Sequence, residues 1–200
     1  MNKLAKSKLA FSAIAMTLVG LVGCGASPEK KAAAARAQAE KAVMAFFEAI
    51  GNGDVETADK FVWCETPGNA TEWAAIKRLG AALKTASDDD LENIPWTVPH
   101  VCCDFEIVNH PLLDPMLAPA VPDAETKLEM EAKEISDMVP VAVKYKFKPR
   151  FAEYAKKLGG FSDEMFGDGL VGVVVAVKHQ GTWKLGEKIS PLDIKASQLK

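Results

Sequence analysis

The chain is poor in the residues that usually carry catalysis, and in the long runs that would bury it in a membrane. It has three histidines in 200 residues. His179 falls in a turn-like stretch and His110 precedes Pro111, so neither is placed as a general base. Basic charge is not in surplus, with 24 Lys and Arg against 27 Asp and Glu, which argues against nucleic acid as a partner. Beyond residue 22 no apolar run approaches the roughly 20 residues that a membrane span requires. The remainder is therefore expected to fold as one soluble domain. Asp88-Asp89-Asp90 lacks the alternating oxygen ligands and glycine turn of a calcium loop and reads as a solvated loop. No motif calls for a cofactor.

What is present begins at the N-terminus. Leu9 to Val22 is apolar or small, follows Lys3, Lys6 and Lys8, contains no acid and ends in small residues before Cys24. That order of basic, apolar and small segments predicts a secretory signal over residues 1–23, too short to span the hydrocarbon as a mature helix. Leu21-Val22-Gly23-Cys24 resembles the lipobox of bacterial lipoproteins. The resemblance implies cleavage between Gly23 and Cys24, a lipid on the Cys24 sulfur and acylation of the new amino terminus. Two or more buried acyl chains, at about 0.8 kcal/mol per CH₂, anchor a protein where one does not. The bilayer is thus the first expected partner, through acylated Cys24, and the cell envelope the expected location. Gly25 in place of Asp resembles the pattern sorted to the outer membrane, facing the periplasm, in Gram-negative cells. The signal holds three of the 24 basic residues and none of the 27 acids, so the mature chain carries 21 against 27, a formal charge of −6.

Residues 24–36 read as a tether and the start of a first helix, 37–190 as a single α+β domain and 191–200 as a C-terminal tail. Ser27-Pro28-Glu29 supplies an N-cap, a proline at the first helical position and a first-turn acid. Ala39, Val43, Phe46, Phe47 and Ile50 then form one face up to Gly51, while the first two turns lack an apolar face and read as a solvated stalk. Asp54 caps a short second helix with Val55, Ala58, Phe61 and Val62 on its stripe. Together, Ala45-Phe46-Phe47-Glu48-Ala49-Ile50, Gly53-Asp54, Glu56, Ala58 and Phe61-Val62 resemble the opening of nuclear-transport-factor-2-like domains, among them small bacterial lipoproteins. The resemblance implies helices lying across a curved antiparallel sheet, a cone enclosing a pocket, and in the wider superfamily dehydratases and isomerases that place an acid or a His-Asp pair there.

Further along, Asn69 and Glu72 have capping-box spacing before a third helix running to Ser87, with Trp73, Ile76, Leu79, Gly80 and Leu83 on its face. Val101, Cys103, Phe105 and Ile107 alternate with His100, Cys102, Asp104 and Glu106, predicting a strand. Pro111, Pro115, Pro119 and Pro122 mark an irregular loop. Residues 123–137 are rich in Glu and Lys yet alternate at Leu128, Met130 and Ala132; the family's sheet favours a strand here. Val141, Val143, Tyr145 and Phe147 make a half-buried strand. Arg150 to Asp168 forms an insertion of two helical pieces about Gly159-Gly160. Leu170 to Lys178 reads as a central strand covered on both faces, turned by Gln180-Gly181 into Thr182–Leu185. Helices first and antiparallel strands after define an α+β class with the helices on one sheet face.

Four features could carry function. Cys64, Cys102 and Cys103 are left once Cys24 is lipidated, an odd number in an oxidising compartment. The alternation turns Cys103 inward, so Cys64–Cys103 is the favoured bridge, with Cys64–Cys102 as the other and three free thiols as the plain alternative. His100, Cys102 and Asp104 on one strand face could approach a metal, but no fourth ligand follows and a metal site is not expected. Lys144, Lys146 and Lys148 form a basic row, either for an acidic ligand or as a solvated face that discourages edge pairing. Trp63, Trp73, Tyr145 and Phe151 could line the pocket or simply fill the core. No inward strand position offers an acid. The sequence thus points to a lipid-anchored domain that binds an envelope protein or a small apolar ligand without catalysis, against an alternative pocket enzyme of dehydratase or isomerase type.

Overall fold

The structure, a computed structural model, describes residues 27–63, 67–87, 99–118, 122–185 and 189–199. Its helices are α1 (Pro28–Gly51), α2 (Val55–Asp59), α3 (Pro67–Thr85), α4 (Pro99–Cys102), α5 (Asp114–Leu117), α6 (Ala124–Ala132) and α7 (Pro149–Leu158). Its strands are β1 (Cys103–Ile107), β2 (Ile135–Phe147), β3 (Leu170–His179), β4 (Thr182–Leu185) and β5 (Ser190–Lys195). All pairings are antiparallel in the order β1-β2-β3-β4, with β5 also on β3. Since β2 runs the whole length of one β3 edge, β4 at Ala176–His179 and β5 at Leu170–Val173 share the other. The sheet curls into a half-barrel and the N-terminal helices pack against it, an α+β arrangement consistent with a nuclear-transport-factor-2-like cone.

Local chemistry sets the helix ends. The Ser27 hydroxyl accepts from the Lys30 N–H at 3.4 Å, and Pro28 occupies the first turn. Asp54 accepts from the Thr57 N–H at 3.1 Å, which holds its carboxyl below the usual value. Gln180 and Gly181 both have positive φ, the geometry of a tight hairpin turn between β3 and β4.

The main core lies between α1 and the concave sheet. α1 contributes Ala39, Ala42, Val43, Phe46, Phe47, Ala49 and Ile50. They meet Trp73, Ile76, Leu79 and Leu83 of α3 and Val141, Val143, Tyr145 and Phe147 of β2. Burying one such aliphatic or aromatic side chain is worth about 1.5–3 kcal/mol. Alternate strand residues point the other way, and Ala142 and Val171 form a smaller cluster with Leu113, Leu117 and Ala196. β3 is therefore covered on both faces over much of its length.

Several expectations are corrected. The strand read from His100 begins at Cys103, because Pro99 opens one helical turn, α4, that buries His100, Val101 and Cys102 together. His100, Cys102 and Asp104 consequently share no strand face: the first two are buried in the turn and Asp104 is exposed on β1. Cys102 is not turned outward. Within the segment 123–137 expected to be a strand, Ala124–Ala132 is helical: Asp123 caps it by accepting from the Thr126 N–H at 2.8 Å, and no residue of α6 is buried, so the apparent alternation faces no core. The proline-rich loop contains a 3-10 turn at Pro111–Leu113 and α5, with Pro111 and Pro115 at initial helical positions. The capping box at Asn69 is displaced, since α3 already starts at Pro67. The tail 191–200 is no tail in its first half: Ser190–Lys195 is β5, and Lys195 pairs with Glu164 at 2.5 Å, helping to hold that carboxyl at about 2.

Candidate binding site

β2 ends at Phe147, and Pro149 opens α7, so Lys148 is the joint between them. This breaks the basic row. Lys144 pairs with Glu106 across to β1 at 2.5 Å and Lys146 is exposed, but Lys148 is half-buried and turns inward. Its Nζ donates to the Gly51 carbonyl at 3.0 Å and to the Val101 carbonyl at 3.2 Å. Gly51 is the last residue of α1, a helix with no basic residue in its final turn. Lys148 thus brings a cation from a distant strand end to the negative end of the α1 dipole. A Cβ on residue 51 would lie 2.9 Å from that Nζ, so any larger residue there would push the lysine's ammonium aside. Burial pulls the Lys148 pKa below the ordinary lysine value, with Asp104 and the two nearby thiols pulling the other way.

Lys148 divides two clefts of about 240 Å³ each. On one side lie Phe47, Glu48, Cys103, Asp104 and Phe105, an aromatic wall whose charged members are both acids. On the other, Lys84 and Arg150 join Lys148 above Leu83, Val101 and Phe151. Arg150 caps α3 much as Lys148 caps α1, donating to the carbonyls of Leu83 at 3.4 Å and of Ala86. No carboxylate lines this second cleft among the described residues.

A third groove, about 220 Å³, runs beside the start of α1, between Ala32, Ala33 and Ala35 on one wall and Leu117, Met138 and Pro140 on the other. Arg36 and Asp137 are its charged members. Arg36 ties the neighbouring segment to α1 by donating to the Asn109 side-chain oxygen at 2.9 Å. Close by in the chain, Leu112 and Met116 are 57% and 51% exposed, large apolar side chains left in water.

The aromatic residues expected at a pocket are spread through the core. Trp73 packs on Phe46 and donates its indole N–H to Asp59 at 2.6 Å, a bond that with Lys77 holds the Asp59 carboxyl below its usual value. Tyr145 stacks near Phe105, and Phe151 floors the cationic cleft. Trp63 is half-buried, its backbone N–H donating to the Leu185 carbonyl at 2.8 Å. Gly23, Cys24, Cys64 and Asp88-Asp89-Asp90 lie outside the described residues, and with them the cleavage site, the anchor, the Cys64 bridge to Cys103 or Cys102 and the acidic loop. Cys102 and Cys103 are both buried, and their sulfurs lie 3.8 Å apart, in contact but not bonded to each other. The contact with Cys102 and burial together push the Cys103 thiol up, which keeps it protonated and unreactive. His110 accepts from the Leu112 N–H, and His179 ends β3. Among the described residues no three His, Cys, Asp or Glu side chains are gathered to hold a metal ion.

The grouping of Lys84, Lys148 and Arg150 was not anticipated from the sequence. One signal for it was present, since Lys148-Pro149 marks the end of the strand and so the end of the period-two rule that kept Lys148 in a solvated row. Fold and site together define an α+β domain with helices on a curled antiparallel sheet, carrying clefts towards both ends of its first helix. Comparison with protein-family models, with curated proteins and with solved structures found no match.

Proposed function

We propose that this protein is a lipid-anchored envelope lipoprotein whose domain works by binding an apolar surface or small apolar ligand, without catalysis. The observation that carries the binding reading is the groove beside the start of α1, alanine on one wall and Leu117, Met138 and Pro140 on the other, with Leu112 and Met116 exposed close by in the chain. Apolar walls of this kind gain free energy when a partner or ligand covers them, which supports the reading. The anchor rests on the Leu-Val-Gly-Cys motif, and the helix supports it: Pro28–Ala34 are exposed, as an arm between a lipidated Cys24 and the domain would be.

The competing enzyme would need a carboxyl of raised pKa beside the aromatics. Among the described residues the carboxylates with displaced values, Asp54, Asp59, Asp123 and Glu164, are instead all lowered by hydrogen bonds, caps and ion pairs. Native mass spectrometry of the full lipoprotein, extracted from its own host in a mild non-ionic detergent, tests the reading. An added mass lost on denaturation, or a stoichiometric protein companion, is expected, and Met138→Asp or Leu112→Asp should remove it. A bare chain under all extraction conditions, or turnover of a carbonyl substrate, would contradict it.

A further inference from the structure

The sheet ends differently at β4 and at β1. On β4 the Leu185 N–H donates to the Phe61 carbonyl at 2.6 Å and the Leu185 carbonyl accepts from the Trp63 N–H at 2.8 Å, so that edge is tied to the segment after α2. β1, at the other side, pairs only with β2. Around that ladder the Lys148 N–H donates to the Cys102 carbonyl at 2.9 Å and the Val108 N–H to the Ala142 carbonyl at 3.0 Å. Bonded pairs in an antiparallel ladder recur at every second residue. Asp104 and Glu106 therefore also bond to β2, while the N–H and C=O groups of Phe105 and Ile107 point away from it. Among the described residues those four groups have no other hydrogen-bond partner. Helix α1 flanks this open edge: Met44, Phe47 and Glu48 form one wall of a cleft of about 240 Å³, and Cys103, Asp104 and Phe105 form the other. Phe47 stacks on Phe105 with ring centroids 3.6 Å apart, so the two walls meet at an aromatic contact. Lys148, at the start of β1, is committed to the Gly51 and Val101 carbonyls.

The strand already paired with β1 shows what suits it. Opposite Asp104 and Glu106, β2 sets Lys146 and Lys144; opposite Phe105 and Ile107 it sets Tyr145 and Val143. The open edge presents the same two faces, because side chains alternate across a strand whichever neighbour it has. A carboxylate offers about four lone-pair sites, so one lysine does not exhaust it. Glu48, exposed on the α1 wall, adds a further acid. We propose that β1 takes an extended segment of a partner polypeptide as an added strand, one in which basic residues alternate with apolar ones. Its main chain bonds to Phe105 and Ile107, its lysines or arginines lie beside Asp104 and Glu106, and its apolar side chains rest on Phe105, Phe47 and Met44. Strand addition draws affinity from main-chain bonds and specificity from alternate side chains. A second copy of this chain fits worse. Two β1 strands paired antiparallel about Phe105 would set Asp104 against Glu106 twice, and like charges directly opposite are destabilising. The surface shares no residue with the apolar groove beside the start of α1 and does not depend on the lipid anchor.

Amide hydrogen exchange followed by NMR tests the edge, on the full chain in non-ionic detergent, with and without the peptide acetyl-Val-Lys-Tyr-Lys-Phe-amide, which copies residues 143–147. In the chain alone the amides of Phe105 and Ile107 should exchange fast and those of Glu106 and Val108 slowly. Saturating peptide should slow Phe105 and Ile107 by about tenfold or more. The same peptide with glutamate in place of both lysines should bind about tenfold more weakly or worse. A version methylated on every backbone nitrogen, which has no N–H to donate, should give no protection. Protection of Phe105 and Ile107 in the chain alone that survives dilution would show that the chain covers its own edge. Protection lost on dilution would assign the edge to a second copy. Either result would overturn the proposal, as would a lysine peptide that leaves both amides fast or a glutamate peptide that protects them equally well.

Discussion

From Pro28 to Ala34 helix α1 buries no residue and only borders a groove, whereas between Ala39 and Ile50 it buries seven residues against α3 and the sheet. Both halves are rich in alanine and begin or end at proper caps. The difference lies in what they meet. An isolated helix shorter than about 12–15 residues is marginal in water, so the exposed arm persists because it is continuous with a packed segment. The packed end is further secured by Lys148, which no local rule of helix capping would supply. One helix is thus solvated at one end and the spine of the core at the other, with an apolar groove beside the first and a cationic cleft at the second.

The contrast can be broken by mutation. Phe46→Ala removes a side chain 1% exposed that packs on Phe47, Trp73 and His100, and should cost about 3–5 kcal/mol in urea unfolding; a loss below about 1 kcal/mol would mean that α1 is not the spine. Lys148 makes its own pH signature. Its depressed pKa means that the folded chain releases this proton before the unfolded one, so between that value and 10.5 the unfolded chain holds more protons. Wild-type stability should therefore rise with pH across that window relative to Lys148→Met, measured by denaturant titration from pH 7 to 10.5, and a flat difference would show that burial does not penalise the ammonium. The smallest effect belongs to the arm: Ala33→Gly should cost less than about 1 kcal/mol, and amide exchange over Pro28–Ala34 should be fast while Val43–Ile50 is protected. Equal protection along the helix would erase the distinction.

Features set within a few residues were readable in the sequence. Ser27-Pro28-Glu29, Asp54 and Gln180-Gly181 each cap or turn the chain by bonds and dihedrals of their own, and all three do so in the structure. The misreadings arose where a pattern was carried past its element. Alternation from Val101 to Ile107 ran into α4, where a helical turn buries consecutive residues as readily as alternate ones. The alternation within α6 was given more weight than the Asp123 cap, although the capping bond lies within three residues and nothing in that segment is buried. Leu192 and Ile194 do alternate with polar neighbours, a strand signal hidden by proximity to the end of the chain. The cationic cleft was the least legible part, because Lys84, Lys148 and Arg150 come together only once two helix ends and a strand end meet.

The most direct test of the central claim, a binding domain held to the envelope by one lipidated cysteine and a helical arm, is membrane fractionation of wild type and Cys24→Ser with intact mass measured on each. The account predicts a wild-type chain in the membrane fraction that begins at Cys24 and carries acyl chains, and a Cys24→Ser chain that leaves that fraction or remains an uncleaved precursor. A wild-type mass without acyl chains, or a Cys24→Ser protein that is cleaved and still sediments with membranes, would contradict it.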